Sequence, residues 1–247
     1  VNYDYYNREE RALCAHLFRL LHEWIAPASD PVFITSFLNR SGLDVGQEDL
    51  VGTRIYIEVA LIRDAYFHRK PNIESFMDDL ALEIIRQEDL DQVRMYSVLP
   101  DVLKDPSRTH PGQIRRKAKE IGIELSRDEN SLYAAIQGMF NAKPDLAITT
   151  TDSIIVYEAK YTQPFDAQQL RRTEHICQVW SKLLYSDLGF EAPPRTIVSK
   201  IGPTVFEPEV SWEWIFHLVE QTYPSNDRTY IAMRNAVNYL SETFTAK

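Results

Sequence analysis

The sequence is poor in cysteine and glycine. Cys14 and Cys177 are the only cysteines in 247 residues. Two are too few for the disulfide framework of a small secreted domain, and they point to core filler in a reducing, cytoplasmic setting. The eight glycines are scattered. None falls in a phosphate-cradling or dinucleotide-binding run, which argues against a Walker-type NTPase or a Rossmann dehydrogenase. The six histidines form neither an HExxH pair nor a His/Cys zinc spacing. His175-Ile176-Cys177 reads as helix packing. No apolar stretch approaches the roughly 20 residues of a membrane span. The opening Val-Asn-Tyr-Asp-Tyr-Tyr-Asn-Arg-Glu-Glu is polar and acidic, unlike a secretory signal. No membrane partner is expected. A basic excess is also missing: 27 Lys and Arg stand against 36 Asp and Glu, a net charge of −9. That argues against a general nucleic-acid binder driven by counterion release. It leaves room for a metal-dependent enzyme with an acidic site, served by a partner or by one local basic face. The densest basic run is Arg115, Arg116, Lys117 and Lys119, which can equally be a solvated helix face.

What is present is an ordinary globular composition, 44% hydrophobic and 26% charged, long enough for a substantial core. Residues 1–26 hold a first amphipathic helix over Asn7 to about Ile25, with Leu13, Leu17, Leu20, Leu21 and Trp24 at helical spacing. Asn7 suits an N-cap and Glu10 then stands at N3. Residues 27–130 read as a mostly helical region, with segments near 31–39, 50–68, 73–87 and 111–121. Within it Ile55, Ile57 and Val59 alternate as in a strand, but the assignment over Thr53–Leu61 leans to helix. Residues 131–140 are open between helix and strand. Asp145–Thr149 and Ile154–Lys160 read as strands, Phe165 to about Tyr185 as a helix and Arg195–Lys200 as a strand. Segment 206–247 holds two more helices, near 211–222 and 227–244.

Pro144-Asp145 and Glu158-Ala159-Lys160 flank the two strands of a hairpin. A turn centred between Thr151 and Asp152 sets Asp145 directly opposite Glu158, with Cβ atoms roughly 5 Å apart. Two like charges so close are destabilising unless a cation offsets them, and Mg²⁺ or Mn²⁺ prefers carboxylate oxygen. The pleat puts Lys160 on the face of Glu158, while Leu146, Ile148, Ile155 and Tyr157 take the other face and can cover a core. A divalent cation with an ammonium beside it suits phosphodiester hydrolysis.

These residues resemble the PD-(D/E)XK nuclease superfamily, over about 144–200. The resemblance implies a mixed α/β fold, a restriction-endonuclease-like core with a mixed central sheet flanked by helices. The core would span 131–205, with 27–130 as a helical insertion and the C-terminal helices added to it. It implies the order helix, three strands, helix, strand. It implies that Asp145 and Glu158 bind Mg²⁺ (or Mn²⁺), joined by the carbonyl of Ala159, and that Lys160 is catalytic. Many members add a glutamate from the first core helix, a place for Glu10 or Glu9. A RecB-like subgroup adds Gln-xxx-Tyr on the next helix; here Thr173 stands four after Gln169 and Arg172 four after Gln168, so that element is absent.

The expected function is therefore a metal-dependent nuclease acting on nucleic acid, with DNA favoured. By analogy it belongs to restriction or anti-phage defence, beside a helicase, ATPase or other defence subunit. The alternative is a nuclease-like fold retained as a binding or assembly subunit. Arg171 and Arg172 are candidates for phosphate contact or for an exposed helix face. Tyr161 and Phe165 are candidates for a cleft wall or for core packing.

Overall fold

The computed structural model describes residues 10–25, 31–46, 48–69 and 72–245, and the side chains of all of these except 10, 11, 48 and 245. In chain order the elements begin with α1 (Glu10–Ile25), α2 (Val32–Arg40), β1 (Arg54–Ile57), α3 (Leu61–His68) and α4 (Ile73–Glu88). Then come α5 (Asp101–Lys104), α6 (Ile114–Glu120), α7 (Arg127–Asn141), β2 (Leu146–Thr149) and β3 (Ser153–Ala159). The chain continues with α8 (Ala167–Leu183), β4 (Arg195–Gly202), β5 (Val210–Ser211), α9 (Trp212–Thr222) and α10 (Arg228–Thr245). No helix among the described residues is long and apolar enough to cross a membrane.

The chain divides into two compact units, and the division does not follow the expected segments. The first unit comprises residues 1–59, 144–173 and 194–247; the second comprises 60–143 and 174–193. The described residues between 31 and 59 thus group with the hairpin rather than with the helical region that follows them.

The first unit is built on a mixed five-stranded sheet in the order β1-β2-β3-β4-β5, flanked by helices. β1, β2 and β3 pair antiparallel, while β4 pairs parallel to β3 and β5 parallel to β4. Over Thr53–Leu61 the chain does not form the expected helix: helix begins only at Leu61, and Arg54–Ile57 is a strand, with Ile55 opposite Ile148. It is four residues long, bounded by Gly52 (φ 80°) and Glu58 (φ 48°), both left-handed. So short a strand owes its conformation to pairing with β2, more than local propensity can supply.

The hairpin register is as expected, with Leu146 opposite Tyr157 and Thr149 opposite Ile154. The Thr150 N–H donates to Ser153 O at 2.9 Å and closes the turn. Leu146, Ile148, Ile155, Tyr157 and Ile201 join the core formed by α1, α2, α9 and α10. The aromatic ring of Phe37 lies 5.5 Å from that of Tyr157. The Tyr157 hydroxyl donates to Ser41 Oγ at 2.9 Å, and burial pushes its pKa far up. Every residue of β3 is buried, as befits a central strand covered on both faces.

The second unit is helical. The ambiguity at 131–140 resolves as helix α7. Its N-terminus carries a capping box: Ser126 Oγ accepts from Glu129 N–H at 3.1 Å, and the Glu129 carboxylate accepts from Ser126 N–H at 2.8 Å. Glu129 is buried, and the Arg94 guanidinium holds its carboxyl down at about 2. Buried Glu83 forms an ion pair with Lys182. Cys14 and Cys177, one in each unit, are both buried and form no disulfide.

Candidate active site at the end of the hairpin

β2 and β3 carry the motif residues to one end of the sheet. Continuing their register by one residue sets Asp145 opposite Glu158. Asp145 stands just outside β2, half-buried, after buried Pro144. Its Oδ2 accepts from the main-chain N–H of Ala159 at 2.9 Å. The carboxylate thus meets the β3 backbone where pairing with β2 ends. This bond holds Asp145 beside Glu158 in spite of their like charge.

Glu158 is 4% exposed. A carboxylate buried to that degree needs a cation and hydrogen bonds in place of water. Lys160 Nζ lies 2.8 Å from its Oε1. Two residues along β3, Lys160 shares a sheet face with Glu158 and can reach it. The Gln169 side-chain amide donates to the same oxygen. The Thr173 hydroxyl donates to Gln169 O at 3.1 Å and stands 3.5 Å from Glu158 Oε2. Gln169 and Thr173 are four apart on α8, hence on one helix face. Asp166 Oδ1 accepts from Gln169 N–H at 2.8 Å and caps the first turn of that helix.

The main chain of Lys160 is held as firmly as its side chain. Its N–H donates to Ile201 O at 2.8 Å, extending the parallel pairing of β3 with β4. Its carbonyl accepts from Nε1 of fully buried Trp212 at 2.7 Å. Lys200 is level with Glu158 on β4. It forms an ion pair with Glu209 at 3.3 Å and lies 5.6 Å over the Phe165 ring.

Asp145, Glu158 and Lys160 are therefore brought together. Glu9 lies outside the described residues, as does the Asn7 cap, and the side chain of Glu10, first residue of α1, is outside them too. Tyr161 is core packing: it is buried, and its hydroxyl donates to Ala236 O at 3.0 Å. Arg171 and Arg172 are exposed. The places of Gln169, Thr173 and Lys200 beside Glu158 had no independent signal in the sequence. The Gln-xxx-Thr spacing on α8 was visible, but not what it would meet.

Among the described residues no group of three or more His, Cys, Asp or Glu side chains gathers to hold a metal ion. The two carboxylates and the Ala159 carbonyl are nevertheless an all-oxygen donor set. Mg²⁺ is commonly held by one or two carboxylates while keeping several waters, so the residues fit such an ion in kind.

Comparison with protein-family models, with curated proteins and with solved structures found no match.

Proposed function

We propose that this chain is a metal-dependent nuclease of the restriction-endonuclease-like fold, acting on DNA. The observation that carries the reading is the meeting of Asp145, Glu158 and Lys160 at one hairpin end, with Lys160 paired to a buried Glu158. The element order supports it. Helix α1, the antiparallel strands β1 to β3, helix α8 and the parallel strand β4 occur in that order along the chain, with α2 between α1 and β1 and α3 to α7 between β1 and β2.

Asp145, Glu158 and the Ala159 carbonyl would hold Mg²⁺ or Mn²⁺. A divalent ion so bound lowers the pKa of its water and stabilises the leaving oxygen of a phosphodiester. Lys160 places a fixed ammonium where negative charge develops on the phosphate. Its backbone anchors to Ile201 and Trp212 spare it reorganisation during the reaction. Gln169 positions Glu158 through Oε1, with the Thr173 hydroxyl 3.5 Å from Oε2. Glu10, or Glu9, is the candidate for a further carboxylate. A cytoplasmic role in restriction or anti-phage defence, with a helicase or ATPase as partner, extends the reading by analogy.

A second reading has one observation in its favour. Glu158 is already occupied by Lys160, Gln169 and Thr173, as in a nuclease-like subunit that binds or assembles without cutting. Purified protein incubated with plasmid, linear duplex, single-stranded DNA and RNA, each with Mg²⁺ or Mn²⁺, separates the two. The nuclease reading expects cleavage of DNA by wild type and its loss in both Asp145→Ala and Lys160→Ala. Cleavage surviving in both variants would refute the site, and no cleavage by wild type on any substrate favours the binding subunit.

A further inference from the structure

The second unit contains a cavity of about 460 Å³, within the usual size range of small-ligand sites. Arg115, Arg116 and Lys119 of α6 line it, facing Asn130 and Gln137 of α7. The turn between the helices supplies Ile123, Glu124 and Leu125. Three cations thus converge on one cavity in a chain whose net charge is −9.

Two features distinguish this wall from a solvated helix face. Arg116 is committed to Glu120 at 3.5 Å, but Arg115 and Lys119 make no ion pair with the described residues. They stand four apart on α6, a spacing at which like charges repel across one turn. A bound anion offsets that cost. The cavity is also held in shape. Asn130 Nδ2 donates to Leu125 O and Ser126 O, both at 3.0 Å, and Arg94 donates to Glu124 O at 2.9 Å. Buried Ala118 and half-buried Ile123 and Leu125 back the cations with apolar surface, which strengthens their field.

We infer that this cavity binds the phosphodiester backbone of a nucleic-acid strand. The phosphate chemistry stands on the cations alone. Naming nucleic acid as its source rests on the nuclease reading. Arg115, Arg116 and Lys119 are exposed at the rim, so a strand can pass over the cavity without threading it. No aromatic side chain lines it, so contact is to phosphate and sugar, with little base preference.

The test is fluorescence anisotropy of a labelled single-stranded oligonucleotide with the full chain in EDTA, over a range of salt. EDTA leaves the hairpin carboxylates without a divalent ion, so the readout is independent of cleavage. Arg115→Gln/Lys119→Gln is expected to weaken binding about tenfold and to flatten the slope of log K against log salt by about 1.4, two contacts' worth for a single strand. Glu124→Gln, which removes the one carboxylate of the lining, is expected to tighten it about threefold. Unchanged affinity and salt slope in the Arg115/Lys119 variant overturn the proposal. If that variant does not fold, unchanged affinity in Glu124→Gln overturns it. A 5′-mononucleotide or inorganic phosphate that displaces the oligonucleotide at equal concentration assigns the cavity to a small phosphate and also overturns it. Wild-type cleavage retained in a variant whose binding is unaltered sinks the cavity and spares the nuclease. Altered binding without any wild-type cleavage does the reverse.

Discussion

Replacing Lys160 by methionine tests the site most directly, because the change keeps the length of the side chain and removes only its charge. Glu158 is 4% exposed, and the Lys160 side chain is 12% exposed at 2.8 Å from it. Removing one partner of a buried ion pair costs about 3–5 kcal/mol, because the remaining charge is left in a poorly solvating site. Gln169 and Thr173 still face the carboxylate, which argues for the lower end, about 3 kcal/mol. Glu158→Gln/Lys160→Met removes both charges and is expected to recover about 2 kcal/mol relative to the two single changes added together. Urea denaturation followed by tryptophan emission reads this well. Trp24, Trp212 and Trp214 belong to the unit that holds Glu158, and Trp180 alone belongs to the other. If Lys160→Met unfolds within about 0.5 kcal/mol of wild type, the usual range of a surface substitution, the pair is not a buried one and the electrostatic reasoning fails. Activity supplies a separate reading, since the double variant is expected to be stable and yet not to cleave.

Three further outcomes are expected. Mg²⁺ at about a hundredfold its dissociation constant raises the stability of wild type by about 2.7 kcal/mol, and Asp145→Ala loses the effect; an equal shift in that variant would place the ion elsewhere. Gly202→Ala builds a Cβ 3.0 Å from Phe165 Cζ and 3.6 Å from Lys160 O. It is expected to cost about 1–2 kcal/mol by overpacking, with most of the loss relieved by Phe165→Ala in the same chain and read by the same denaturation. Glu129 governs acid stability of the second unit. Its folded pKa of about 2 lies below its unfolded value, so its contribution is complete above about pH 5 and is lost as pH falls towards 2. The contribution is about 2–3 kcal/mol, moderated by the 42% exposure of Arg94. A Glu129→Gln variant is expected to show a correspondingly flatter acid limb, and equal limbs would reject the assignment.

The strands and helices that owe their form to neighbours along the chain were legible in the residues. The 146–157 hairpin was legible because alternation of Ile, Val and Tyr has period two and a centred turn leaves a single register. That register set Asp145 and Glu158 opposite each other before any tertiary contact was known. Leu13, Leu17, Leu20, Leu21 and Trp24 gave α1 its buried stripe in the same way. β1 was not legible, because its four residues become a strand by pairing with β2, from which some ninety residues of chain separate them. Gln169 and Thr173 could be seen to share a helix face, but only the packing of α8 brings that face onto Glu158. A helix near 211–222 was expected, and only the fold turns the indole N–H of Trp212 onto the carbonyl of Lys160. The hairpin end was thus determined locally, by pleat and turn. The Lys160–Glu158 pair, two residues apart on β3, belongs to that local part. The burial of the site and its anchors were decided by contacts between segments remote in the chain, which no local periodicity encodes.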